Sequence, residues 1–323
     1  MQKKLGILTS GGDAPGMNAA IRAVVRYGIY HNFEVFGIER GYQGLLDDDV
    51  LPLDLRSVAN IIQRGGTMLK TARCQAFFEA EGRATAAETL RRHAIEHLVI
   101  IGGDGSFRGA AKLSEEQGIR TVGIPGTIDN DILGTDYTIG FDTALNTALE
   151  SIDRIRDTAA SHERLFIIEV MGRKTGFIAL EVGIGAGAEI ILTAENPRAM
   201  DDVCHRLLEG QKRGKGSSIV VVGEAEKEGH VFDIANRIRE TCGLDYRVTV
   251  LGHIQRGGSP SARDRVLGSR LGAAAVEAIV DGASEIMVGQ IHDRIVRVPF
   301  PEVVSGRKQV DPALFDLIDI LSL

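Results

Sequence analysis

The chain of 323 residues has no tryptophan, and aromatic residues make up only 5% of it. Glycine, in contrast, is abundant at 39 residues. This mixture favours an α/β protein with Val/Ile strands, Ala-rich helices and tight glycine turns. The length exceeds that of a typical single domain, so two lobes are expected.

Cysteine is also scarce, and its spacing excludes two kinds of site. Cys74, Cys204 and Cys242 lie far apart and form no C-x-x-C pair. An odd, scattered set indicates reduced thiols and excludes a disulfide framework or a zinc site. No basic-then-apolar leader precedes the first strand, and no apolar run reaches the roughly 18 residues of a membrane span. A cytoplasmic location is therefore expected.

The chain has no excess of positive charge, since its formal net charge is -7. This balance argues against general affinity for nucleic acid or for an anionic membrane. Any anionic ligand must therefore be bound by local basic clusters. Two of these are Lys212-Arg-Gly-Lys-Gly216 and the stretch from Arg247 through His253 to Arg256, where a phosphate pocket is plausible.

Two predicted strands end in glycine turns that lead into helices. Leu5–Thr9 is followed by Ser10-Gly-Gly-Asp13 and a helix from about Met17 to Ile29; Leu98–Ile101 is followed by Gly102-Gly-Asp-Gly-Ser106 and a helix near Phe107. This layout presents backbone N–H groups to a phosphate, and Asp104 can hold Mg²⁺ through water. A purely structural turn is the alternative. The first of these turns is not a Walker loop, because no Gly-Lys-Ser/Thr follows it, and the absence of a G-x-G-x-x-G after the first strand excludes a dehydrogenase.

A third strand end carries two carboxylates. The strand Arg120–Ile124 ends in Pro125-Gly-Thr-Ile-Asp-Asn-Asp131. If this segment stays extended, Thr127, Asp129 and Asp131 project to the same side. They could then hold an alcohol, remove its proton and favour a nearby cation. The alternative is an Asx-rich turn in which both carboxylates bond local backbone.

Further elements repeat this pattern through the chain. Strands are predicted at 34–38, 165–168, 189–192 and 218–222, and helices around 58–62 and at 144–160, 200–212, 261–279 and 312–320. Turns with a polar residue, such as Met171-Gly-Arg173 and Gly223-Glu224, follow the strand ends. Ligands of parallel sheets bind at these ends. His93 and His97 are spaced i,i+4 but are assigned a structural role, because the zinc-protease Glu is absent from its place.

Together, Thr9-Ser-Gly-Gly-Asp13, Gly102-Gly-Asp-Gly-Ser106, Pro125–Asp131, Met171-Gly-Arg173 and Gly252-His-Ile-Gln-Arg-Gly-Gly258 resemble the bacterial ATP-dependent 6-phosphofructokinases over nearly the whole chain. The resemblance implies two Rossmann-like αβα sandwich lobes with mainly parallel sheets. It also implies transfer of phosphate from ATP to the 1-hydroxyl of fructose 6-phosphate, the committed step of glycolysis, in a Mg²⁺-dependent homotetramer. An ATP lobe would comprise residues 1–139 and about 255–305, and a sugar-phosphate lobe residues 140–254 and about 306–323.

The family's site residues transfer to matching positions in this chain. The resemblance implies that Asp129 is the general base, that Thr127 touches the transferred group and that Arg173 stabilises its charge, while Asp104 holds Mg²⁺. The implied nucleotide contacts are Gly12, Tyr42, Arg73, Cys74, Gly103, Asp104, Gly105 and Ser106. The implied sugar-phosphate contacts are Thr127, Ile128, Asp129, Asp131, Met171, Gly172, Arg173, Glu224, His253, Ile254, Gln255 and Arg256, with Arg164 and Arg247 supplied by a neighbouring subunit.

The resemblance also implies an allosteric site that binds ADP or phosphoenolpyruvate. Its residues would be Arg22, Ala23, Val24, Val25, Arg26, Arg156, Gly187, Ala188, Glu189, Arg213, Lys215, Gly216 and Ser217. Leu55, Ala59 and Asn60 stand where some members carry polar or basic groups, and Gly216-Ser217 replaces a basic pair. Fewer cations weaken the binding of an anion, so the existence and the sign of an effector response stay open.

Two glycines bear on the phosphoryl donor. Pyrophosphate-using relatives typically carry Asp at the position of Gly105 and Lys at that of Gly126, so glycine at both favours ATP. A pyrophosphate-dependent enzyme remains the first alternative. NAD and lipid kinases, which also carry G-G-D-G turns, and a sensor without catalysis are the others.

Overall fold

The computed structural model describes residues 2–162, 164–173, 175–225, 227 and 229–321. By its internal contacts the chain divides into two compact units. The first unit comprises residues 1–128, 132–143 and 256–308, and the second comprises residues 129–131, 144–255 and 309–323. The lobe boundaries expected from the sequence refer to the lobes that bind ATP and the sugar phosphate. They remain a prediction.

Strands and helices alternate along most of the chain. The elements up to residue 162 are β1 (Lys4–Thr9), α1 (Met17–Tyr30), β2 (Glu34–Ile38), α2 (Tyr42–Asp47), β3 (Val50–Leu53), α3 (Ala80–Arg92), β4 (His97–Gly102), α4 (Asp104–Gln117), β5 (Arg120–Pro125) and α5 (Phe141–His162). Those that follow are β6 (Leu165–Val170), α6 (Phe177–Gly185), β7 (Ile190–Leu192), α7 (Met200–Lys212), β8 (Ser218–Gly223), α8 (His230–Cys242), β9 (Tyr246–Val250), α9 (Ala262–Val280), β10 (Ile286–Ile291), β11 (Arg294–Pro299), α10 (Phe300–Val303) and α11 (Ala313–Leu321). Short 3-10 helices lie at Ala76–Phe78 and Gly252–Arg256.

The first unit is built on a sheet with the strand order β11-β10-β5-β4-β1-β2-β3. Its inner strands run parallel, while β3 and β11 pair antiparallel at the two edges. All six residues of β4 are buried, as expected for a parallel strand that is covered on both faces. Helices α1 and α9 pack against each other, and Gly268 and Gly272 permit this approach: a Cβ on Gly272 would lie 2.7 Å from the Ala20 carbonyl oxygen.

The second unit has a smaller sheet with the order β7-β8-β6-β9, and all of its strands are parallel. Its core is formed by aliphatic side chains of β6, β7 and β8 together with α7 and α8. Strands β6 and β8 end at Val170 and Gly223 in the same register. The polar residues that follow these two strands therefore leave the sheet side by side.

These elements confirm the α/β class with mainly parallel sheets. The helix expected around residues 58–62 is wrong: residues 55–60 form turns, and Asn60 has a left-handed φ of 55° that is incompatible with a continuing helix. The helix expected near Phe107 begins earlier, at Asp104. Strands β10 and β11 and helices α6 and α8 lie in parts of the sequence to which no element was assigned.

None of the helices that the structure describes is long and apolar enough to span a membrane.

Candidate active site

The turn after β1 lies against an arginine that is remote in sequence. A Cβ on Gly12 would lie 2.5 Å from a terminal nitrogen of Arg256, and that same nitrogen donates to the Asp13 carbonyl oxygen at 3.0 Å. Glycine at position 12 thus lets a guanidinium pack on the turn. Arg256 is 9% exposed, so the structure buries this predicted sugar-phosphate residue within the first unit.

The second glycine turn leads directly into α4. Gly103 is the N-cap, so the predicted residues Asp104, Gly105 and Ser106 form the first helical turn. The first N–H groups of a helix have no partners within it, and together with the helix dipole they favour a bound phosphate. A Cβ on Gly103 or Gly105 would meet nothing within 4 Å. Space for a ligand is therefore present on this turn.

Asp104 is the residue in this turn that is suited to a cation. Its side chain is 30% exposed and lies 3.3 Å from the Arg108 guanidinium. Among the residues that the structure describes, no cluster of three or more His, Cys, Asp or Glu side chains is arranged to hold a metal. Mg²⁺ in nucleotide enzymes binds through one or two carboxylates, substrate phosphates and waters. A single accessible carboxylate beside a helix start that is suited to a phosphate fits this ion.

The predicted nucleotide residues Tyr42, Cys74 and Arg73, which lie outside this turn, differ in their burial. The buried ring of Tyr42 stacks on Phe77, and its hydroxyl donates to the Ser106 carbonyl oxygen at 2.6 Å. Cys74 is half-buried, and burial raises the pKa of its thiol. Arg73 is exposed. The structure therefore brings Tyr42 to the helix start and leaves the Arg73 side chain facing solvent.

The loop after β5 forms a turn and is not extended. Ile128 and Asp129 are turn residues, and Asn130 has a left-handed φ of 52°. The extended geometry that would project Thr127, Asp129 and Asp131 to the same side is therefore not present. Thr127 and Asp129 are both buried, at 8% and 2% exposure, whereas Asp131 is half-buried.

In the second unit, Asp129 is paired with the arginine predicted to act with it. The Arg173 Nε lies 3.5 Å from the Asp129 Oδ2, and the Arg173 side chain is 62% exposed while that of Asp129 is 3% exposed. Arg173 has a left-handed φ of 51°, and its N–H donates to the Glu224 Oε2 at 3.1 Å. A non-glycine residue in this conformation is uncommon. The backbone bond to Glu224 and the left-handed turn together aim the guanidinium at the buried carboxylate.

Further hydrogen bonds hold the chain segments that carry this pair. The Thr175 hydroxyl donates to the Asp129 carbonyl oxygen at 3.3 Å, and the Met171 N–H donates to the buried Gln255 Oε1 at 2.8 Å. Burial, followed by the nearby charge of Glu224, raises the pKa of Glu169. The Glu169 and Glu224 carboxylates thus lie at the adjacent ends of β6 and β8, and the Arg173 N–H bonds to Glu224. Gly172, with a φ of 143°, lies between Met171 and Arg173.

Four predicted sugar-phosphate residues lie on the surface of the second unit. Arg164, Arg247, His253 and Ile254 are all exposed, and Ile254 is 55% exposed. Arg247 pairs with Phe166 in the sheet, and a terminal nitrogen of Arg247 donates to the Tyr246 carbonyl oxygen at 2.8 Å. The two arginines thus lie on neighbouring chain segments at the β6 and β9 side of the sheet.

The predicted allosteric residues fall into two groups. Arg22 and Arg26 lie on α1 in the first unit, where Val24 and Val25 are fully buried in the core. In the second unit the Arg156 guanidinium donates to the Gly187 carbonyl oxygen at 3.0 Å, and the Lys215 ammonium lies 4.0 Å from Glu189. A pocket of about 260 Å³ there is lined by Glu189, Asp202, His205, Arg206, Glu209, Gly210, Arg213, Lys215, Ser218 and Asp319.

Sequence reasoning missed two buried charged residues that connect chain segments remote in sequence. Arg83 is 5% exposed, and its guanidinium donates to both Glu116 oxygens and to the Phe77 and Phe78 carbonyl oxygens. Asp264 is 1% exposed and accepts bonds from the Gly140 and Thr143 backbone. No spacing pattern indicates these pairs, since the partners are brought together only by the fold.

The α/β fold carries two sets of groups that suit a phosphotransferase. One set is the start of α4 with the Asp104 carboxylate, and the other is the buried Asp129 carboxylate paired with Arg173. The phosphofructokinase family model matches residues 4–279. The chain therefore belongs to the phosphofructokinase family.

Curated relatives and a solved structure agree with this assignment. The chain is 59% identical over 321 residues to the ATP-dependent 6-phosphofructokinase 1 of Thermus thermophilus, with 99% of this chain and 100% of the relative covered. It is 52% identical over 331 residues to the ATP-dependent 6-phosphofructokinase of Halothermothrix orenii, with the same coverage. The structure of phosphofructokinase from Saccharomyces cerevisiae superposes with a TM-score of 0.87 at 37% identity, covering 94% of this chain and 45% of the yeast chain.

Proposed function

We propose that this chain is an ATP-dependent 6-phosphofructokinase that phosphorylates fructose 6-phosphate at its 1-hydroxyl. The full-length identity to curated ATP-dependent enzymes supports the activity. The observation that carries the proposed mechanism is the buried Asp129 carboxylate, 3.5 Å from the Arg173 guanidinium.

Asp129 is suited to act as the base. It accepts the proton of the 1-hydroxyl as the sugar oxygen forms a bond to the γ-phosphorus of ATP. The bond from that phosphorus to the β–γ bridging oxygen breaks in line, and its electron pair leaves with ADP. Arg173 offsets the negative charge of the transferred group, and Thr127 is proposed to touch that group.

The nucleotide is proposed to bind at the turns of the first unit. The N–H groups at the start of α4 bind its phosphates, while Gly12, Tyr42, Arg73, Cys74 and the residues from Gly103 to Ser106 surround it. Asp104 would hold Mg²⁺, which when bound neutralises charge on the phosphates. The open space at Gly105 supports a whole nucleotide as the donor in preference to pyrophosphate.

The sugar phosphate is proposed to bind in the second unit near Met171, Gly172, Glu224 and His253. Arg164 and Arg247 are exposed, which supports their donation to a neighbouring subunit of a homotetramer. The cations Arg213 and Lys215 in the pocket of the second unit support an effector site for ADP or phosphoenolpyruvate. A cytoplasmic location is part of the same proposal.

The activity is tested with purified protein, Mg²⁺ and fructose 6-phosphate, with release of ADP from ATP or consumption of pyrophosphate measured in parallel. We expect turnover with ATP and little with pyrophosphate. Turnover with pyrophosphate alone, phosphorylation of NAD, or calorimetric binding of both substrates without turnover would each replace this proposal by one of its alternatives.

The role of Asp129 is tested by Asp129→Asn, with the exposed helical Asp153→Asn as the matched control. Loss of a general base lowers turnover by roughly 10²–10⁴-fold, while the affinity for the sugar phosphate changes little. Retained turnover in the first variant would remove Asp129 from the proposed role.

A further inference from the structure

The loop that carries Thr127 is supported from behind by the segment 138–140. Thr138 is fully buried, and its hydroxyl donates to the Thr127 carbonyl oxygen at 2.6 Å. The next residue, Ile139, donates its N–H to the Pro125 carbonyl oxygen at 2.9 Å and forms a parallel bridge with Gly126. Two consecutive residues of the segment thus bond to Thr127 in the loop and to Pro125 at the end of β5.

The far end of this segment is held by a buried carboxylate. One oxygen of Asp264 accepts the Gly140 N–H at 2.8 Å, and the other accepts both the N–H and the hydroxyl of Thr143, at 2.8 and 2.5 Å. Asp264 itself lies in the first turn of α9, where the Ser261 hydroxyl accepts its N–H at 3.2 Å. The segment is therefore tied to the start of a 19-residue helix.

Close packing leaves the segment little freedom to move. A Cβ on Gly140, whose φ is 101°, would lie 2.6 Å from the Ala14 Cβ, and a Cβ on Gly16 would lie 2.8 Å from the Ile139 side chain. All of these groups belong to the first unit. A shift of the loop would therefore break the bond to Thr138 or disturb packing around the turn after β1.

We propose that Thr138 is a positioning residue for phosphoryl transfer, anchored through Gly140 by Asp264. Its hydroxyl fixes the peptide plane that follows Thr127 and so sets the direction in which the Thr127 side chain and the following turn leave β5. The proposal rests on the proposed function of Thr127. The hydroxyl touches no reacting atom; it acts through the backbone of the loop.

The test compares Thr138→Val, which keeps the shape and removes the donor, with Thr138→Ser, which keeps the donor. Since small errors in placement can cost up to about 10²-fold in rate, we expect Thr138→Val to lower kcat by roughly 10- to 100-fold with KM for both substrates nearly unchanged. Thr138→Ser should recover kcat to within about threefold of the parent, because it restores the hydrogen bond.

The matched control is Thr121→Val. Thr121 is also fully buried, in the same strand that leads to the loop, and its hydroxyl bonds to that of Ser114 at 2.7 Å. It tests the loss of a buried threonine hydroxyl away from the loop, and we expect kcat to be unchanged. An equal loss of kcat in both valine variants, or no recovery in Thr138→Ser, would overturn the proposal.

Amide hydrogen exchange at residues 126–128 provides a readout that is independent of activity. Exchange should accelerate in Thr138→Val and stay at the parent rate in Thr138→Ser and Thr121→Val. If the parent protein does not phosphorylate fructose 6-phosphate, the proposed function fails while this exchange result still decides the positioning role. Should Thr138→Val not fold, Asp264→Asn at the other end of the segment takes its place, and unchanged exchange and kcat there would overturn the proposal.

Discussion

The phenol ring of Tyr42 lies parallel to the ring of Phe77, with the centroids 3.9 Å apart and 13° between the planes. The Tyr42 hydroxyl donates to the Ser106 carbonyl oxygen at 2.6 Å. The hydrogen bond thus connects α2 to the helix start that is proposed to bind the nucleotide phosphates, while the ring stack connects α2 to the 3-10 helix Ala76–Phe78. Gly109 makes room for the stack, since a Cβ there would lie 3.0 Å from the Phe77 ring.

Tyr42→Phe should weaken the use of ATP and leave the sugar phosphate unaffected. The change keeps the stacked ring but removes one buried hydrogen bond, whose net contribution of about 0.5–1.5 kcal/mol corresponds to about a 2- to 10-fold rise in KM for ATP. Initial rates against each substrate measure this split. Tyr30→Phe, on a tyrosine that is 76% exposed, is the control; an equal rise in KM for ATP there would contradict the explanation.

The two glycines that favour ATP differ in the space around them. A Cβ on Gly105 would meet nothing within 4 Å, whereas a Cβ on Gly126 would lie 2.8 Å from the Ile101 side chain and 3.0 Å from Met17. We therefore expect Gly105→Asp to fold with parent stability and to lose activity with ATP, because a carboxylate would stand beside the nucleotide phosphates. Gly126→Lys should be destabilised, since a buried lysine without a partner is costly.

Thermal unfolding and the rate with ATP, measured on both variants, check this contrast. Gly103→Ala is the control for a small side chain added in equally open space. A stable Gly126→Lys variant would show that the loop after β5 moves to accept the side chain. Full activity of Gly105→Asp with ATP would show that the open space at Gly105 is not used by the nucleotide.

Much of the fold and of the site follows from local patterns, and the remainder does not. The glycine turns after β1 and β4 could be predicted because an apolar strand followed by glycines and a helix is a local signal. The bond from Tyr42 to Ser106 spans 64 positions and the pair of Arg83 with Glu116 spans 33. Such partners have no fixed spacing, so only the tertiary fold reveals them.

The loop from Thr127 to Asp131 shows a second reason why prediction fails. Its sequence was compatible both with an extended segment and with an Asx-rich turn, and a single left-handed residue, Asn130 with a φ of 52°, decides for the turn. Asn adopts this conformation more readily than most residues, but the sequence alone does not show when it does.

The ion pair of Arg83 and Glu116 should make stability depend on acid pH. The hydrogen bonds of 2.6 and 2.7 Å from the guanidinium are the main cause that lowers the pKa of Glu116. A carboxyl whose pKa is lower in the folded state adds stability above its unfolded pKa of about 4.3, and this stability is lost as the pH falls through the folded value. The difference in unfolding midpoint between the parent and Glu116→Gln should therefore be largest near neutrality and shrink below about pH 4.

Denaturant unfolding between pH 3 and pH 7 measures this dependence. The neighbouring exposed Glu115→Gln is the control, and we expect its difference from the parent to change little with pH. A difference for Glu116→Gln that stays constant across the range would show that the pair contributes packing and no linkage to protons. Because Arg83 also bonds the Phe77 carbonyl oxygen at 3.0 Å, loss of the pair should raise KM for ATP as well.

Arg173 combines an unfavourable backbone conformation with the charge proposed to assist transfer, so a glycine in its place should be more stable than an alanine although both lose activity. At a φ of 51° a residue with a Cβ costs roughly 1–2 kcal/mol, a cost that glycine avoids. We expect Arg173→Gly to be about 1 kcal/mol more stable than Arg173→Ala, while both lose roughly 10²–10³-fold in kcat with the guanidinium. Arg173→Lys should not restore the rate, because an ammonium lacks the planar fork of donors.

The matched control for the backbone effect is Glu285, which is exposed and has a φ of 59°. Glu285→Gly should show the same gain in stability over Glu285→Ala with no change in kcat. Equal stability of the two Arg173 variants would mean that the loop relaxes when the arginine is removed, and near-parent turnover in either would exclude the guanidinium from the reaction.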